Sequence, residues 1–325
     1  MAVPSESLDR VLHTFAGNPL DRADAKRRDE SWLADAAAAH DSRYLLLWNL
    51  NVLTIAGEAG PRLGWLEGRD VNALGVEVPP IFLGIMDETP HFALDVSRVH
   101  DPMHELNLTA PWQFDDARRA AMGLPNAESG ILAQARSQVD WHHRHGFCSV
   151  CGGRTTQFKG GHVRRCNDCG ADHFPRTDPV AIMLIVDGDQ CLLGQSAGRL
   201  ARTGMYSALA GFIDQGESIE AAVRREVMEE AGIEVGAVSY HSSQPWPFPS
   251  SLMIGCHGQA LTREINMDTE EMADVRFFHR DEVTEAMTRV LAGAAGGPED
   301  LKVPGSIAIA HHLIRAWVDG EVHFN

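Results

Sequence analysis

Three glutamates stand close together near the middle of the second half of the chain, at positions 226, 229 and 230. An α-helix turns by about 100° per residue, which places Glu226, Glu229 and Glu230 within an arc of roughly 100° on one face. Ser218 suits the N-cap of this helix, and Gly232 suits the position just past its end. Carboxylates so close oppose each other's ionisation unless a cation binds them. The pattern therefore predicts a helix that binds divalent metal, and oxygen ligands favour Mg²⁺ or Mn²⁺ over zinc.

Glu-x-x-Glu-Glu taken alone is most often a solvated acidic helix face. Here Gly211 and Glu217 precede the helix, and Arg225 lies beside the first glutamate, where it can pair with a carboxylate and orient the cluster. Mg²⁺ characteristically bridges protein carboxylates to substrate phosphates. We therefore expect chemistry at a phosphate group.

Four cysteines form two Cys-x-x-Cys pairs separated by 14 residues. The pairs are Cys148 with Cys151 and Cys166 with Cys169. This spacing is typical of a zinc ribbon, and four soft ligands with no open position imply a structural Zn²⁺. A redox pair would need only one such motif. His162 and His173 are alternative ligands, although the cysteines already fill the tetrahedron.

The composition is that of a globular protein with more than one core: 325 residues, 44% hydrophobic and 22% charged. The apolar run at residues 180–186 is too short to cross a bilayer, so we expect no membrane contact and a cytoplasmic location. A formal charge of −17 argues against broad attraction to polyanions. The basic side chains of Lys159, Arg164 and Arg165, near the cysteines, suit an RNA backbone or simply a solvated loop.

Apolar runs broken by turn residues predict β-strands in the first third of the chain. These strands are expected at residues 44–48, 51–55, 80–86 and 91–96. Helical spacing of apolar residues predicts a helix at about 127–145 that leads into the cysteines. We expect a β-rich N-terminal domain at residues 1–125, followed by the linker helix and ribbon at 126–173.

Residues 174–325 are expected to form a third domain of layered α+β or α/β type. Two strands, at 180–186 and 190–194, bracket a turn, and an amphipathic helix is expected at about 307–318. Between them, residues 244–251 alternate three prolines with two aromatic residues. That segment cannot form an ordinary helix and should be extended and rigid, or it packs onto the core.

Two motifs carry a family resemblance. Residues 211–233 reproduce the Nudix box, Gly-x5-Glu-x7-Arg-Glu-U-x-Glu-Glu-x-Gly-U with U a bulky aliphatic residue, so the chain resembles the Nudix hydrolases. Residues 243–251 are similar to the Ser-Gln-Pro-Trp-Pro-Phe-Pro-x-Ser signature of the NADH pyrophosphatase branch, which also has this zinc ribbon. The resemblance implies an α+β fold, with a Nudix α/β/α sandwich preceded by the ribbon and a β-rich N-terminal domain.

The resemblance also implies roles for individual residues. The Mg²⁺ or Mn²⁺ ligands would be Ala210, through its backbone carbonyl, Glu226, Glu229, Glu230 and Glu271. Glu229 would help to bind metal or activate water. Because Glu270 is adjacent to Glu271, the resemblance leaves open which of the two is the later metal ligand. The substrate contacts would be Phe174, Phe212, Gln244, Pro245, Trp246, Pro247, Phe248, Pro249, Ser250, Ser251 and Ala308. Phe174 and Phe212 would stack on a base, although core packing explains Phe174 equally well.

The implied reaction is hydrolysis of the diphosphate bond of NADH or NAD by a metal-activated water, giving NMN(H) and AMP. The same site could remove an NAD cap from RNA. A first alternative is a Nudix hydrolase for another nucleoside diphosphate derivative such as ADP-ribose, which the proline-aromatic segment disfavours. A second is a non-catalytic nucleotide sensor or RNA-binding module, which the intact glutamate set disfavours. Such proteins are often homodimers, so we expect a homodimer.

Overall fold

The computed structural model describes residues 13–198, 204–294, 297 and 300–324. The described chain forms two compact units. The N-terminal unit comprises residues 14–177 and 245–250, and the C-terminal unit comprises His13 with residues from 178–244 and 251–324. The domain boundaries expected after residues 125 and 173 stay a prediction.

The N-terminal unit is built on a mixed seven-stranded sheet. Its strands are β1 (Arg43–Trp48), β2 (Asn51–Ile55), β3 (Arg62–Leu63), β4 (Trp65–Glu67), β5 (Ile81–Met86), β6 (Thr89–Asp95) and β7 (Trp112–Asp115). The order is β3-β2-β1-β6-β5, with β4 also beside β1 and β7 beside β2. The four strands predicted from the apolar runs are confirmed as β1, β2, β5 and β6.

The centre of this sheet is buried on both faces. Strand β1 pairs antiparallel with β2 and parallel with β6, and residues 44–47 are at most 4% exposed. An unbroken apolar run is what a strand covered on both faces requires. The helices of the described part of this unit are α1 (Asp24–Arg27), α2 (Glu30–Ala38), α3 (Gly68–Val71), α4 (Pro102–Glu105), α5 (Ala117–Ala121) and α6 (Asn126–Arg144). The predicted linker helix is confirmed as α6, whose 19 residues lead to the cysteines.

A small antiparallel sheet carries the cysteine pairs. Its strands are β8 (Thr155–Phe158), β9 (Val163–Cys166) and β10 (Asp172–His173), in the order β10-β9-β8. Gly152 and Gly170 follow the two pairs with φ values of 78° and 73°, a left-handed conformation that glycine adopts without steric cost. The predicted zinc ribbon is confirmed.

The C-terminal unit is a three-layered sandwich around a six-stranded sheet. Its strands are β11 (Asp178–Asp187), β12 (Gln190–Ser196), β13 (Leu209–Phe212), β14 (Val235–Trp246), β15 (Ser251–Ala260) and β16 (Met272–His279). Its helices in the described residues are α7 (Ile219–Ala231), α8 (Arg280–Leu291) and α9 (Ile309–Val318). The strand order is β14-β15-β11-β12-β16, and β13 pairs with β11.

Strand β11 explains why helices cover both faces of this sheet. Its side chains alternate, so that Ala181, Met183 and Ile185 pack in one apolar cluster with α7, while the residues between them pack in another with α8 and α9. Each large apolar side chain buried in this way contributes about 1.5–3 kcal/mol. The predicted strands, the glutamate helix and the last amphipathic helix are confirmed, as is the α/β/α sandwich. None of the helices in the described residues has the length and apolarity needed to cross a bilayer.

The proline-aromatic segment is extended in part only. Residues up to Trp246 continue β14, and residues 247–250 form a turn before β15 begins at Ser251. The expectation of an extended conformation throughout was therefore wrong. The chain has to reverse within these four residues because β14 and β15 are hydrogen-bonded neighbours in the sheet.

Two partly buried histidines lie where α6 meets the ribbon. His142 Nε2 donates a hydrogen bond to the carbonyl of Gly161 at 2.9 Å, and His162 Nε2 accepts one from the side-chain amide of Gln138 at 2.9 Å. Burial lowers the pKa of His142 to about 4 and that of His162 to about 3. Both rings are therefore neutral at pH 7.

We expect His162→Gln to lose less stability than the wild type when the pH falls from 7 to 5. In the unfolded chain, His162 binds a proton below its ordinary pKa of 6.5, whereas in the folded protein the ring stays neutral until the pH reaches about 3. The wild type therefore loses stability as the pH falls through this window. The difference should be about 1–2 kcal/mol at pH 5, measured by denaturant unfolding. His40→Gln, at an exposed position, is the control. Equal losses of stability in the wild type and both variants would contradict the lowered pKa of His162.

Candidate active site

Helix α7 has defined ends. The Ser218 hydroxyl accepts a hydrogen bond from the N–H of Ala221 at 3.2 Å, as an N-cap does. Gly232 ends the helix with φ 69°, and a Cβ there would lie 2.8 Å from the side chain of Asn266. The N–H of Asn266 in turn donates to the carbonyl of Ala231 at 2.9 Å. Both predicted caps are confirmed, and the end of the helix is fastened to the segment that follows β15.

Gly211 is the residue that lets strand β13 approach this helix. A Cβ at this position would lie 1.8 Å from the carboxyl carbon of Glu226, so any other residue would displace that carboxylate. Strand β13 is held in turn by β11, where Ala210 pairs with Ile182. The Glu226 carboxylate therefore rests on the backbone next to Ala210.

Arg225 ties the loop before the helix to the glutamates. Its Nε and Nη2 atoms donate to the two carboxylate oxygens of Glu217, at 2.7 and 2.8 Å. Its Nη1 atom donates to Glu226 at 2.8 Å and to Glu229 at 2.9 Å. The hydrogen bonds from Arg225 and from the N–H of Asp214 lower the pKa of Glu217 to about 2. The expectation that Arg225 pairs with a glutamate is confirmed.

Glu226 and Glu230 are buried carboxyl groups, each 8% exposed. Burial, followed by repulsion from Glu226, Glu271 and Glu229, raises the pKa of Glu230 to about 8. Burial also raises the pKa of Glu226, against the effect of its hydrogen bond to Arg225. Oε2 of Glu230 has no hydrogen-bond partner among the described residues. A buried carboxylate without a partner is costly unless a cation compensates its charge, so these residues fit a divalent metal ion.

Glu271 lies close enough for its charge to raise the pKa of both Glu226 and Glu230. Glu270 is not among the charges that act on either group, and its backbone N–H bonds instead to the side chain of Asp268 at 2.8 Å. Glu271, and not its neighbour, is therefore the residue whose charge acts on the two buried carboxyl groups. Among the described residues, the four cysteines are the only group of three or more His, Cys, Asp or Glu side chains whose potential ligand atoms converge, all within 4.8 Å of one another. The carboxylates of the glutamate cluster do not converge in this way.

The cysteine thiols converge on one centre. The Sγ atoms of Cys148 and Cys169 are 3.7 Å apart, and those of Cys151 and Cys166 are 3.4 Å apart. Tetrahedral Zn²⁺ with Zn–S bonds of about 2.3 Å requires S···S distances of about 3.8 Å. His173 Nε2 lies 3.2 Å from Cys148 Sγ and so acts as a hydrogen-bond partner of the thiol. The four cysteines hold a structural zinc, and neither histidine is needed as a ligand.

The aromatic residues of the proline-aromatic segment are packed within the N-terminal unit. Trp246 and Phe248 contact each other edge to face, with ring centroids 5.4 Å apart, and both contact Phe15 in the same way. The guanidinium groups of Arg118 and Arg136 lie 4.3 and 4.6 Å from the Phe248 centroid. Phe248 is therefore held by cation–π contacts rather than presented for stacking. No local signal predicts this, because the partners lie more than a hundred positions away in the chain.

Side chains of α6 complete this anchor by donating hydrogen bonds to backbone carbonyls. Arg136 donates to the carbonyl of Pro247, and the Ser137 hydroxyl donates to the carbonyl of Pro249 at 3.0 Å. Side chains of α5 and α6 thus hold residues 245–250 at an aromatic ring and at two backbone carbonyls. We call this set of contacts the loop anchor.

Gln244 is completely buried, which the sequence did not suggest. Its amide donates to the carbonyl of Ile307 and accepts from the N–H of Ile309, both at 2.8 Å. These two residues flank Ala308, the N-cap of α9. Gln244 therefore holds the backbone on either side of Ala308.

The predicted site residues divide between the two units. The C-terminal unit contains Ala210, Phe212, Glu226, Glu229, Glu230, Gln244, Ser251, Glu271 and Ala308. The N-terminal unit contains Phe174, Pro245, Trp246, Pro247, Phe248, Pro249 and Ser250. Phe212 and Phe174 are 59% and 65% exposed, so both rings are accessible for stacking.

Comparison with known proteins finds three family domains along the chain. Residues 175–294 match the NUDIX domain, residues 143–174 match the NADH pyrophosphatase zinc ribbon domain, and residues 41–141 match the NADH pyrophosphatase-like rudimentary NUDIX domain. A sandwich with a glutamate helix, preceded by a zinc ribbon, thus defines this class of protein. The chain belongs to the Nudix hydrolase family, in the branch with the NADH pyrophosphatase zinc ribbon.

Two relatives illustrate the likeness. The NAD-capped RNA hydrolase NUDT12 of Homo sapiens is 36% identical over 354 residues, which cover 97% of this chain and 75% of that protein. The mitochondrial NAD(P)H pyrophosphatase NUDT13 of Mus musculus is 40% identical over 240 residues, which cover 70% of this chain and 68% of that protein.

Proposed function

We propose that this protein hydrolyses the diphosphate bond of NADH or NAD to give NMN(H) and AMP. The observation that carries this proposal is the buried pair Glu226 and Glu230, one of whose oxygens has no protein partner. The relatives named NAD-capped RNA hydrolase and NAD(P)H pyrophosphatase support a dinucleotide substrate. By the same argument, we propose that the site also removes NAD caps from RNA.

The residues proposed to hold Mg²⁺ or Mn²⁺ are Ala210, through its carbonyl, Glu226, Glu230 and Glu271. A donor set made only of oxygen suits either ion. A divalent ion in this set lowers the pKa of a water molecule and offsets charge on the phosphates.

Glu229 is the proposed general base. Its side chain is 55% exposed, so water can reach it. Arg225 donates to its Oε2 atom, which leaves Oε1 to accept the proton of the attacking water. Because Arg225 also binds Glu217 and Glu226, it is a positioning residue that orients Glu229 toward the buried carboxylates.

The proposed substrate is tested by comparing kcat/KM for NADH, NAD, ADP-ribose and an NAD-capped RNA, with Mg²⁺ or Mn²⁺, and by identifying the products by mass spectrometry. We expect cleavage of the dinucleotides to NMN(H) and AMP. Preferential cleavage of ADP-ribose would assign another substrate within the family. Binding of the dinucleotides without metal-dependent turnover would replace the enzyme with a nucleotide sensor.

The proposal also includes the oligomeric state and the cellular location. We propose that the protein is a homodimer, which analytical ultracentrifugation tests. We also propose a cytoplasmic location, as the sequence led us to expect; related proteins include forms named mitochondrial and chloroplastic, so fractionation of the source cells is the decisive measurement.

The loop anchor should affect substrate binding more than the chemical step. We expect Arg118→Ala combined with Arg136→Ala to raise KM for NADH by about tenfold, because the segment proposed to bind substrate loses its cation–π contacts, of about 0.5–1 kcal/mol each, and the hydrogen bond from Arg136 to Pro247. The change in kcat should be smaller. The controls are Arg119→Ala and Arg144→Ala. These arginines lie on the same two helices, but Arg119 pairs with Asp115 and Arg144 pairs with Asp140. An unchanged KM would exclude a role of the anchor in binding.

A further inference from the structure

A cavity lies within the N-terminal unit, where the ribbon faces α6 and the end of β6. Its volume is about 580 Å³, which is within the range of small-molecule sites. Val78, Ile81 and Val139 form an apolar part of the lining, and the ribbon strands β8 and β9 supply polar groups. The cavity is therefore amphipathic and large enough for an organic ligand.

Three arginines line this cavity, and none of their side chains forms an ion pair with a carboxylate of the described residues. The side chains of Arg98 and Arg154 are exposed and make no hydrogen bond or ion pair with any described residue, although the guanidinium group of Arg154 lies 5.2 Å from the ring centroid of Phe147. Arg164 bonds only to neutral acceptors. Its Nε and Nη2 atoms donate to the hydroxyl and carbonyl of Thr155 at 2.7 and 2.8 Å, and its Nη1 donates to Nδ1 of His142 at 2.7 Å.

Neither of the two carboxylates of the lining forms an ion pair with these arginines. Asp95 accepts from the N–H and hydroxyl of Ser97 and pairs with His143. Although burial opposes its ionisation, these hydrogen bonds keep the pKa of Asp95 below its ordinary value. Glu77 is the other carboxylate of the lining. Three arginines against two carboxylates leave an excess of positive charge at the cavity, in a chain whose formal charge is −17.

We propose that this cavity binds the phosphate group of a nucleotide, at a site that does not belong to the glutamate helix. Arginine guanidinium groups present paired N–H donors that match the oxygens of a phosphate, and the apolar lining accommodates the ribose and base. The basic ribbon tip expected from the sequence is a weaker candidate, because Arg165 is bound at both carboxylate oxygens of Asp172, at 2.7 and 3.0 Å. Arg164, from the same strand, supplies charge to the cavity instead.

The test is hydrogen–deuterium exchange of the zinc-loaded full chain with AMP, read by mass spectrometry. We expect AMP to slow exchange in peptides that cover residues 77–98 and 154–165. Arg98→Ala combined with Arg154→Ala should weaken the affinity at these peptides by about 10- to 100-fold, as expected for the loss of charge-assisted hydrogen bonds. Arg28→Ala combined with Arg69→Ala changes the net charge equally but alters arginines that lie outside the cavity.

Further ligands identify the source of the phosphate. Adenosine, which lacks the phosphate, should give no protection, and a 5′-phosphorylated RNA hexamer shows whether the phosphate comes from free nucleotide or from RNA. Protection by AMP or by the hexamer that is lost in the Arg98 and Arg154 variant supports the site. Protection by neither, equal protection by adenosine, or full protection in that variant would overturn it. Zinc content and thermal unfolding of the variant establish that it is folded. The readout needs no turnover, so its result is independent of the proposed hydrolase activity.

Discussion

Glu230→Gln is expected to lower kcat/KM for NADH by about 100-fold or more and to stabilise the metal-free protein. Loss of an outer-shell partner of a bound metal already costs about 10- to 100-fold in activity, so loss of a proposed ligand should cost at least as much. Stability changes in the opposite direction because the wild-type carboxyl is buried, repelled by three other carboxylates and without a hydrogen-bond partner at Oε2. The amide keeps the shape and carries no charge.

The pH dependence has a defined sign. Because the pKa of Glu230 is raised from 4.5 to about 8, the folded metal-free protein retains a proton that the unfolded chain releases, and stability falls as the pH rises through this window. The variant should lose less stability over the same range. Steady-state kinetics with Mn²⁺ and denaturant unfolding of the metal-free protein measure the two effects.

Glu270→Gln is the matched control for this prediction, because Glu270 is exposed and adjacent to the proposed ligand Glu271. It should leave both activity and stability near the wild-type values, whereas Glu271→Gln should lower activity. A Glu230→Gln protein with full activity would remove the carboxylate pair from the proposed mechanism. Equal effects of the substitutions at 270 and 271 would leave the register of the ligand open.

Loss of the zinc is the second large expected effect. We expect Cys166→Ser to reduce the bound zinc from one ion per chain to none and to lower Tm by about 10 °C, because metal binding in such ribbons is coupled to their folding. The ribbon also packs on the sheet of the N-terminal unit. A Cβ at Gly160 would lie 2.7 Å from Phe82, and one at Gly161 would lie 2.9 Å from Ile81. Unfolding of the ribbon therefore exposes apolar side chains of β5.

Elemental analysis and thermal unfolding monitored by circular dichroism test this prediction. Cys256→Ala is the control, since Cys256 is buried in β15 and takes no part in the cysteine cluster. It should retain one zinc per chain. If Cys166→Ser also retained its zinc and its Tm, the ion would have to be held by other ligands or be irrelevant to stability.

Features that depend on residues close together in the chain were predictable. Both ends of α7 follow from Ser218 and Gly232, whose effects reach only three or four positions. The alternation of side chains along β11 and the cysteine spacing are equally local. These patterns were sufficient for the sandwich, the ribbon and the face that carries the three glutamates.

The proline-aromatic segment shows the limit of that approach. Its prolines exclude a helix, but they do not determine where the chain reverses, which depends on the pairing of β14 with β15. Nor could they indicate that Phe248 contacts Arg118 and Arg136. Similarly, nothing near Gln244 in the sequence indicates that its amide binds the backbone of residues 307 and 309.

The sequence by itself determined the helix, the zinc ligands and the family, because capping, side-chain periodicity and ligand spacing act over a few residues. Only the tertiary structure decided that Oε2 of Glu230 is buried without a hydrogen-bond partner, that Arg225 joins three carboxylates, and that arginines gather around a cavity beside the ribbon. Burial and charge compensation depend on groups that folding brings together from distant parts of the chain, and no local pattern encodes them.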